Sequence, residues 1–174
     1  MFASGLTITS VAPDRGKARR GRHPAKPPTV RTGPSPDDVH DIVYFRRHTS
    51  DDPMQACPGQ AFLDSCPPGV RAKFRAVLIA VATAPPKRFA GGGYWEAMKG
   101  DMAGWFEVRV DGPKRHHYRL FCRLDYEAKD ASRPLLVIIT GLDKHFRTEL
   151  SNADYARVRK LGNEYLKRNP RSIV

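Results

Sequence analysis

The chain has 174 residues, enough for one ordinary domain and some appended sequence but not for two full domains. It sets 30 Lys and Arg against 18 Asp and Glu, a formal charge of +12, while its 40% hydrophobic content excludes a wholly disordered polymer. That balance points to a globular protein that meets a polyanion, nucleic acid before an anionic membrane surface, and its longest apolar stretches, 76–81 and 135–139, are far short of the roughly 20 residues that span a bilayer.

Residues 1–40 hold six prolines and four glycines, with seven Lys or Arg against three Asp, and show little apolar periodicity after Val11. They read as a basic flexible tail, serving either as a nucleic-acid-contacting arm or as an extension without a role. The opening MFASGLTITSVAP lacks a charged segment followed by an apolar one, so no secretory signal is expected there. Domain-like patterning starts at Asp41, where the β-branched and aromatic residues of 41–47 predict a first strand ending near His48. A turn-rich connection over 51–58 and a short helical turn at 61–64 follow. Pro67 and Pro68 then supply a fixed-φ start for a longer helix that ends before Pro85 and Pro86. On that helix Val70, Phe74, Val77, Leu78 and Val81 form one apolar stripe, with Arg71 and Arg75 off it. Gly91, Gly92 and Gly93 make a loop, and no GxxxxGK follows to make it a phosphate cradle.

The second half predicts a sheet. Over 105–110, Phe106, Val108 and Val110 alternate with Trp105, Glu107 and Arg109. A turn at Asp111-Gly112-Pro113 leads to 117–124, where Tyr118, Leu120, Cys122 and Leu124 alternate with Arg119, Phe121 and Arg123, so the two segments pair as a hairpin with arginines on one face. Residues 135–140 are almost continuously apolar, the mark of a strand buried on both sides. A polar loop over 143–147 comes next. Ser151 and Asp154 then suit a capping box, with Leu150 and Tyr155 placed as a hydrophobic staple, for a last helix lined by Val158, Leu161 and Tyr165. The expected fold class is α+β: a small, mostly antiparallel twisted sheet packed with N-terminal and C-terminal helices, occupying residues 41–174.

Four segments, in this order and spacing, resemble the RelE/HigB group of bacterial toxins. They are Phe62-Leu-Asp-Ser65 before Pro67-Pro-Gly-Val-Arg71, Ala97-Met-Lys-Gly-Asp-Met-Ala-Gly-Trp105, the strand pair Phe106–Val110 and His117–Phe121, and Ile138-Ile-Thr-Gly-Leu-Asp-Lys-His-Phe-Arg147. The resemblance covers about residues 41–168, and the HigB-like branch is the most similar. It implies a RelE-like fold and a cytoplasmic, ribosome-dependent mRNA endoribonuclease, an mRNA interferase that inhibits translation. The implied partners are mRNA, the ribosome and a cognate antitoxin that often carries a helix-turn-helix. Two other functions stay open on the same scaffold: inhibition of DNA gyrase by a ParE-like toxin, and a non-catalytic RNA- or antitoxin-binding module.

Metal-free RNA cleavage activates a 2′-hydroxyl against the adjacent phosphate, offsets charge on the transition state and protonates the leaving 5′-oxygen. The catalytic candidates are Arg119, Lys144, His145, Arg147, Glu107 and Tyr155. Arg119, with Arg147, would stabilise charge, since guanidinium stays protonated and clamps phosphate. Glu107, Lys144, His145 and Tyr155 are the proton-transfer candidates, and the His145 imidazole is the side-chain type that exchanges protons near neutral pH. Lys99, Arg109, Arg123 and Trp105 are the substrate-binding candidates. Arg109 and Glu107 equally suit an exposed ion-pair network, Tyr155 a helix staple, and Trp105 and Phe121 either stack on bases or pack in the core. No metal or cofactor is expected: adjacent His116 and His117 point to opposite faces of a strand, and Cys57 and Cys66 have no matching CxxC or HxxxH. Three irregularly spaced cysteines suit reduced thiols, with Cys122 buried among apolar neighbours.

Overall fold

Strand β1 runs over Asp41–Tyr44 in a computed structural model that describes residues 39–83 and 93–174. The basic segment up to residue 38, Pro85, Pro86, Gly91 and Gly92 lie outside the described residues. Helices α1 (Pro58–Ser65) and α2 (Pro68–Thr83) follow, then β2 (Trp95–Ala97), β3 (Phe106–Asp111), β4 (His116–Asp125), β5 (Leu135–His145) and α3 (Asn152–Leu166). The five strands form one mixed sheet in the order β1-β5-β4-β3-β2, with β1 parallel to β5 and the other pairs antiparallel. The chain is α+β, its sheet mostly antiparallel. β5 lies between β1 and β4, which is why 135–139 is apolar on both sides. The outer edge of β1 is covered by the C-terminus, where Tyr44 and Val174 exchange backbone hydrogen bonds of 2.8 and 3.0 Å.

The sheet carries a hydrophobic layer on each face. On one side α1 and α2 press Leu63, Val70, Phe74, Leu78 and Val81 against Val108, Leu120, Cys122 and Ile138. The α2 stripe is thus the core face, with Val77 at its margin. On the other side α3 packs Val158 and Tyr165 against Trp105, Phe121, Val137 and Ile139. The α3 N-terminus closes with a reciprocal capping box: Ser151 accepts from the Asp154 amide, and Asp154 accepts from the Ser151 amide at 2.8 Å.

Five expectations change. β1 stops at Tyr44, short of His48, and Phe45 beyond it makes an isolated bridge to Ile173. α1 spans eight residues, because Pro58 starts it at the first helical position and Gly59 sits tightly on Ile138, where a Cβ would lie 2.6 Å from Cγ2. β2 has three residues, too few to show alternation, and it adds a strand that the periodicity does not mark. The β3–β4 turn is centred on Pro113–Arg115, with Lys114 and Arg115 both at left-handed φ. Finally, β5 continues through Asp143 and Lys144 to His145, paired rung by rung with His116–Tyr118, so the supposed loop at 143–147 is mostly strand. Gly141 breaks the apolar run because the Phe62 ring packs over it, 2.0 Å from where a Cβ would stand.

Candidate functional site

Helix α3 covers only part of its side of the sheet. The strand residues beyond its cover that share this face are Glu96 on β2, Glu107, Arg109 and Asp111 on β3, His117 and Arg119 on β4, and Lys144 on β5, as the ladder pairs Glu96↔Glu107, Arg109↔Arg119 and His117↔Lys144 dictate. An open groove of about 840 Å³ is lined by Arg109, Asp111, His117, Arg119 and Lys144 of this face, by Tyr94 just before β2 and by Lys73, Ala76 and Val77 of α2.

Glu107 organises the floor. It is 1% exposed, and both carboxylate oxygens are taken by guanidinium groups: Oε1 accepts from Arg119, and Oε2 from Arg109 at 3.1 Å. Arg109 also reaches Glu96 at 2.8 Å. With both oxygens held this way, Glu107 is a strut that fixes two arginines. Arg119 uses one terminal nitrogen for this bond, while its Nε is buried without a hydrogen-bond partner. The guanidinium lines the groove, and a guanidinium fixed in place is suited to clamp phosphate oxygens. Lys144 donates through Nζ to the Thr148 carbonyl.

The face of each β5 residue is decided by a bulge. Phe121 pairs with Thr140 but Cys122 pairs with Ile138, so one residue of β5 is extra. Strict alternation from Leu136 and Ile138 would send Lys144 toward α1 and α2; the bulge reverses the parity and brings Lys144 into the groove. It sends His145 to the opposite face, where its ring lies 4.0 Å from that of His116. His145 is therefore not beside Arg119. Arg147 stands in a left-handed turn, exposed, 5.5 Å over the Phe146 ring.

Other candidates belong to the α3 packing. Trp105 is 4% exposed, with Gly162 pressed on its ring, so it is a core residue rather than a stacking platform. Arg123 lies 5.1 Å over the same ring, and burial draws it below the usual guanidinium value. Phe121 is fully buried, with Tyr155 edge-on at 6.2 Å. Tyr155 and Lys99 line a second depression of about 440 Å³ with Asp101, Asn152 and Arg159.

His117 and Asp111 were not among the sequence candidates. The signal was present: His117 lies two residues before Arg119, on the same side of the alternation. Burial pushes the Cys66 thiol up to about 11 and raises that of Cys122 too, so neither is a ready nucleophile. Among the described residues no cluster of three or more His, Cys, Asp or Glu could hold a metal ion, and no helix is long and apolar enough to cross a membrane. No family model, curated protein or solved structure matches this chain.

Proposed function

We propose that the chain is the toxin half of a type II toxin–antitoxin pair, with a RelE-like fold: a cytoplasmic, metal-independent endoribonuclease that cuts mRNA on the ribosome and is neutralised by a cognate antitoxin. The observation that carries this reading is Arg119, a groove-lining guanidinium fixed by the buried Glu107. The order of strand, paired helices, antiparallel strands and C-terminal helix agrees with the resemblance in the sequence. In the reaction the 2′-oxygen attacks the adjacent phosphorus and the bond to the 5′-oxygen breaks, giving a 2′,3′-cyclic phosphate and a 5′-hydroxyl. Arg109 and Arg119 offset the charge that builds on the phosphoryl oxygens, and Lys144 supplies the proton to the leaving oxygen.

The test is primer-extension mapping of an mRNA incubated with the purified chain, with and without programmed ribosomes. The expected result is cuts in codon register that need the ribosome, and a loss of about 100-fold or more in rate for Arg119→Ala. No cuts under either condition, from protein shown to be folded, would overturn the reading and make gyrase inhibition the next assay.

A further inference from the structure

An imidazole enters the groove from the strand that carries Arg119. His117 is the rung partner of Asp111 on β3 and of Lys144 on β5, and all three line the groove with Arg109 and Arg119. Its Nδ1 is 2.5 Å from Oδ1 of Asp111, and the Phe146 ring lies against it at 5.4 Å between centroids. Lys73 of α2 reaches the Asp111 backbone carbonyl at 3.4 Å, tying the far end of β3 to the helix. When Nδ1 donates to a carboxylate, the tautomer is set and Nε2 is left with its lone pair free to accept a proton. Of the residues in this groove, Glu107 is committed to two arginines, the arginines are permanently charged and Lys144 is a donor. Asp111 is engaged by His117 itself, and His117 is the imidazole of the groove, the side-chain type suited to take a proton near neutral pH.

We infer that His117 is the general base of the reaction proposed above, and that Asp111 is the positioning residue that orients it. The inference rests on the ribonuclease reading. Nε2 of His117 accepts the 2′-hydroxyl proton as the 2′-oxygen forms its bond to phosphorus. The phosphorus–5′-oxygen bond breaks, and that oxygen takes a proton from Lys144. His117 then returns its proton to solvent and Lys144 regains one, so the RNA is split into cyclic phosphate and 5′-hydroxyl ends with no other reactant consumed.

Cleavage rates of the full chain are measured on programmed ribosomes carrying a short synthetic mRNA, either native or with sulfur replacing the bridging 5′-oxygen at the cut. A sulfur leaving group needs no proton, whereas the 2′-hydroxyl still needs a base. His117→Ala is expected to lose about 100-fold or more on both substrates and to regain part of it with free imidazole, while Lys144→Ala recovers on the sulfur substrate. Asp111→Asn is expected to lower kcat about tenfold at unchanged KM. His117→Gln, which keeps a polar side chain at the position, serves as the second variant should the alanine form fail to fold. If the wild type cuts with Arg119 required but the folded His117 variants stay within twofold of it, the base assignment is wrong and the ribonuclease reading survives. Recovery of His117→Ala on the sulfur substrate also overturns it, by making His117 the acid. No cutting by the wild type removes both.

Discussion

Glu107 illustrates why a charge in a strand pattern is hard to interpret locally. In the alternation it falls on the side of Trp105 and Arg109, where an exposed ion pair is the simplest expectation, yet the residue is 1% exposed. Its burial is tolerated because Arg109 and Arg119 together satisfy both oxygens. Removing the carboxylate leaves two adjacent guanidinium groups, directly opposite each other in the ladder, without their shared counter-charge. Glu107→Ala is therefore expected to destabilise the fold by about 3 kcal/mol, whereas Arg109→Ala, which removes a 40% exposed side chain with Glu96 and Glu107 as partners, should cost about 1 kcal/mol. Urea unfolding of the two variants checks the order. Equal costs would mean that Glu107 does not carry the arginine pair.

At the scale of elements, α3 is held to the sheet by shape as much as by area. Gly162 faces the Trp105 ring, and a Cβ there would lie 2.3 Å from Cζ2. The indole is backed by Arg123 and packed in the second hydrophobic layer, so it has little room to yield. Gly162→Ala should gain helix propensity yet lose about 1–3 kcal/mol through overpacking, with Trp105 fluorescence shifted in the folded state. A stabilised variant with unchanged fluorescence would show that helix and sheet can separate slightly at no cost. The opposite relation holds at the β3–β4 turn. Lys114 and Arg115 both occupy the left-handed region, at φ 55° and 56°, where a side chain is strained and glycine is not. Lys114→Gly should raise the thermal midpoint, by about 0.5–1 kcal/mol in stability.

Across the whole molecule, the last residues tie α3 to the sheet and to the strand that opens the domain. Asp125, at the end of β4, accepts from Tyr165 of α3 and from Nε of Arg171, each at 2.7 Å, and from the Glu127 amide at 2.8 Å. Arg47, just past β1, grips Glu164 of α3 through two nitrogens at 2.8 and 3.1 Å. Burial by itself would raise the Asp125 carboxyl, but the Tyr165, Arg171 and backbone hydrogen bonds outweigh it and leave the group below its ordinary value. Asp51 and Asp154 are also held low, by hydrogen bonds from Arg168 and Ser151. A carboxyl depressed on folding contributes stability above its unfolded value, about 4, and loses it as the pH falls through the folded value. The thermal midpoint should therefore decline below about pH 4. Asp125→Asn should lower the midpoint at neutral pH and flatten that decline, since the variant has less to lose in acid. Parallel curves for variant and wild type would show that Asp125 is not a source of the acid sensitivity.

What was legible in the sequence is whatever depends on short-range order. The α2 stripe, the capping box of α3, the alternation of β3 and β4 and the doubly buried run of β5 follow from periods of 3.6 and 2 and from side chains a few residues apart. That was enough to place Glu107, Arg109 and Arg119 on one face. The tertiary structure decided which of the remaining polar residues join them. A bulge opposite Phe121 and Cys122 exchanges the faces of Lys144 and His145, and the covering helix turns Trp105 and Arg123 into packing. Strand register and helix docking are set by contacts between residues far apart in the chain, and a shift of one position reverses every side chain beyond it. The groove with His117 and Asp111 in it is therefore a product of pairing, while the alternation that makes such pairing possible was already in the sequence.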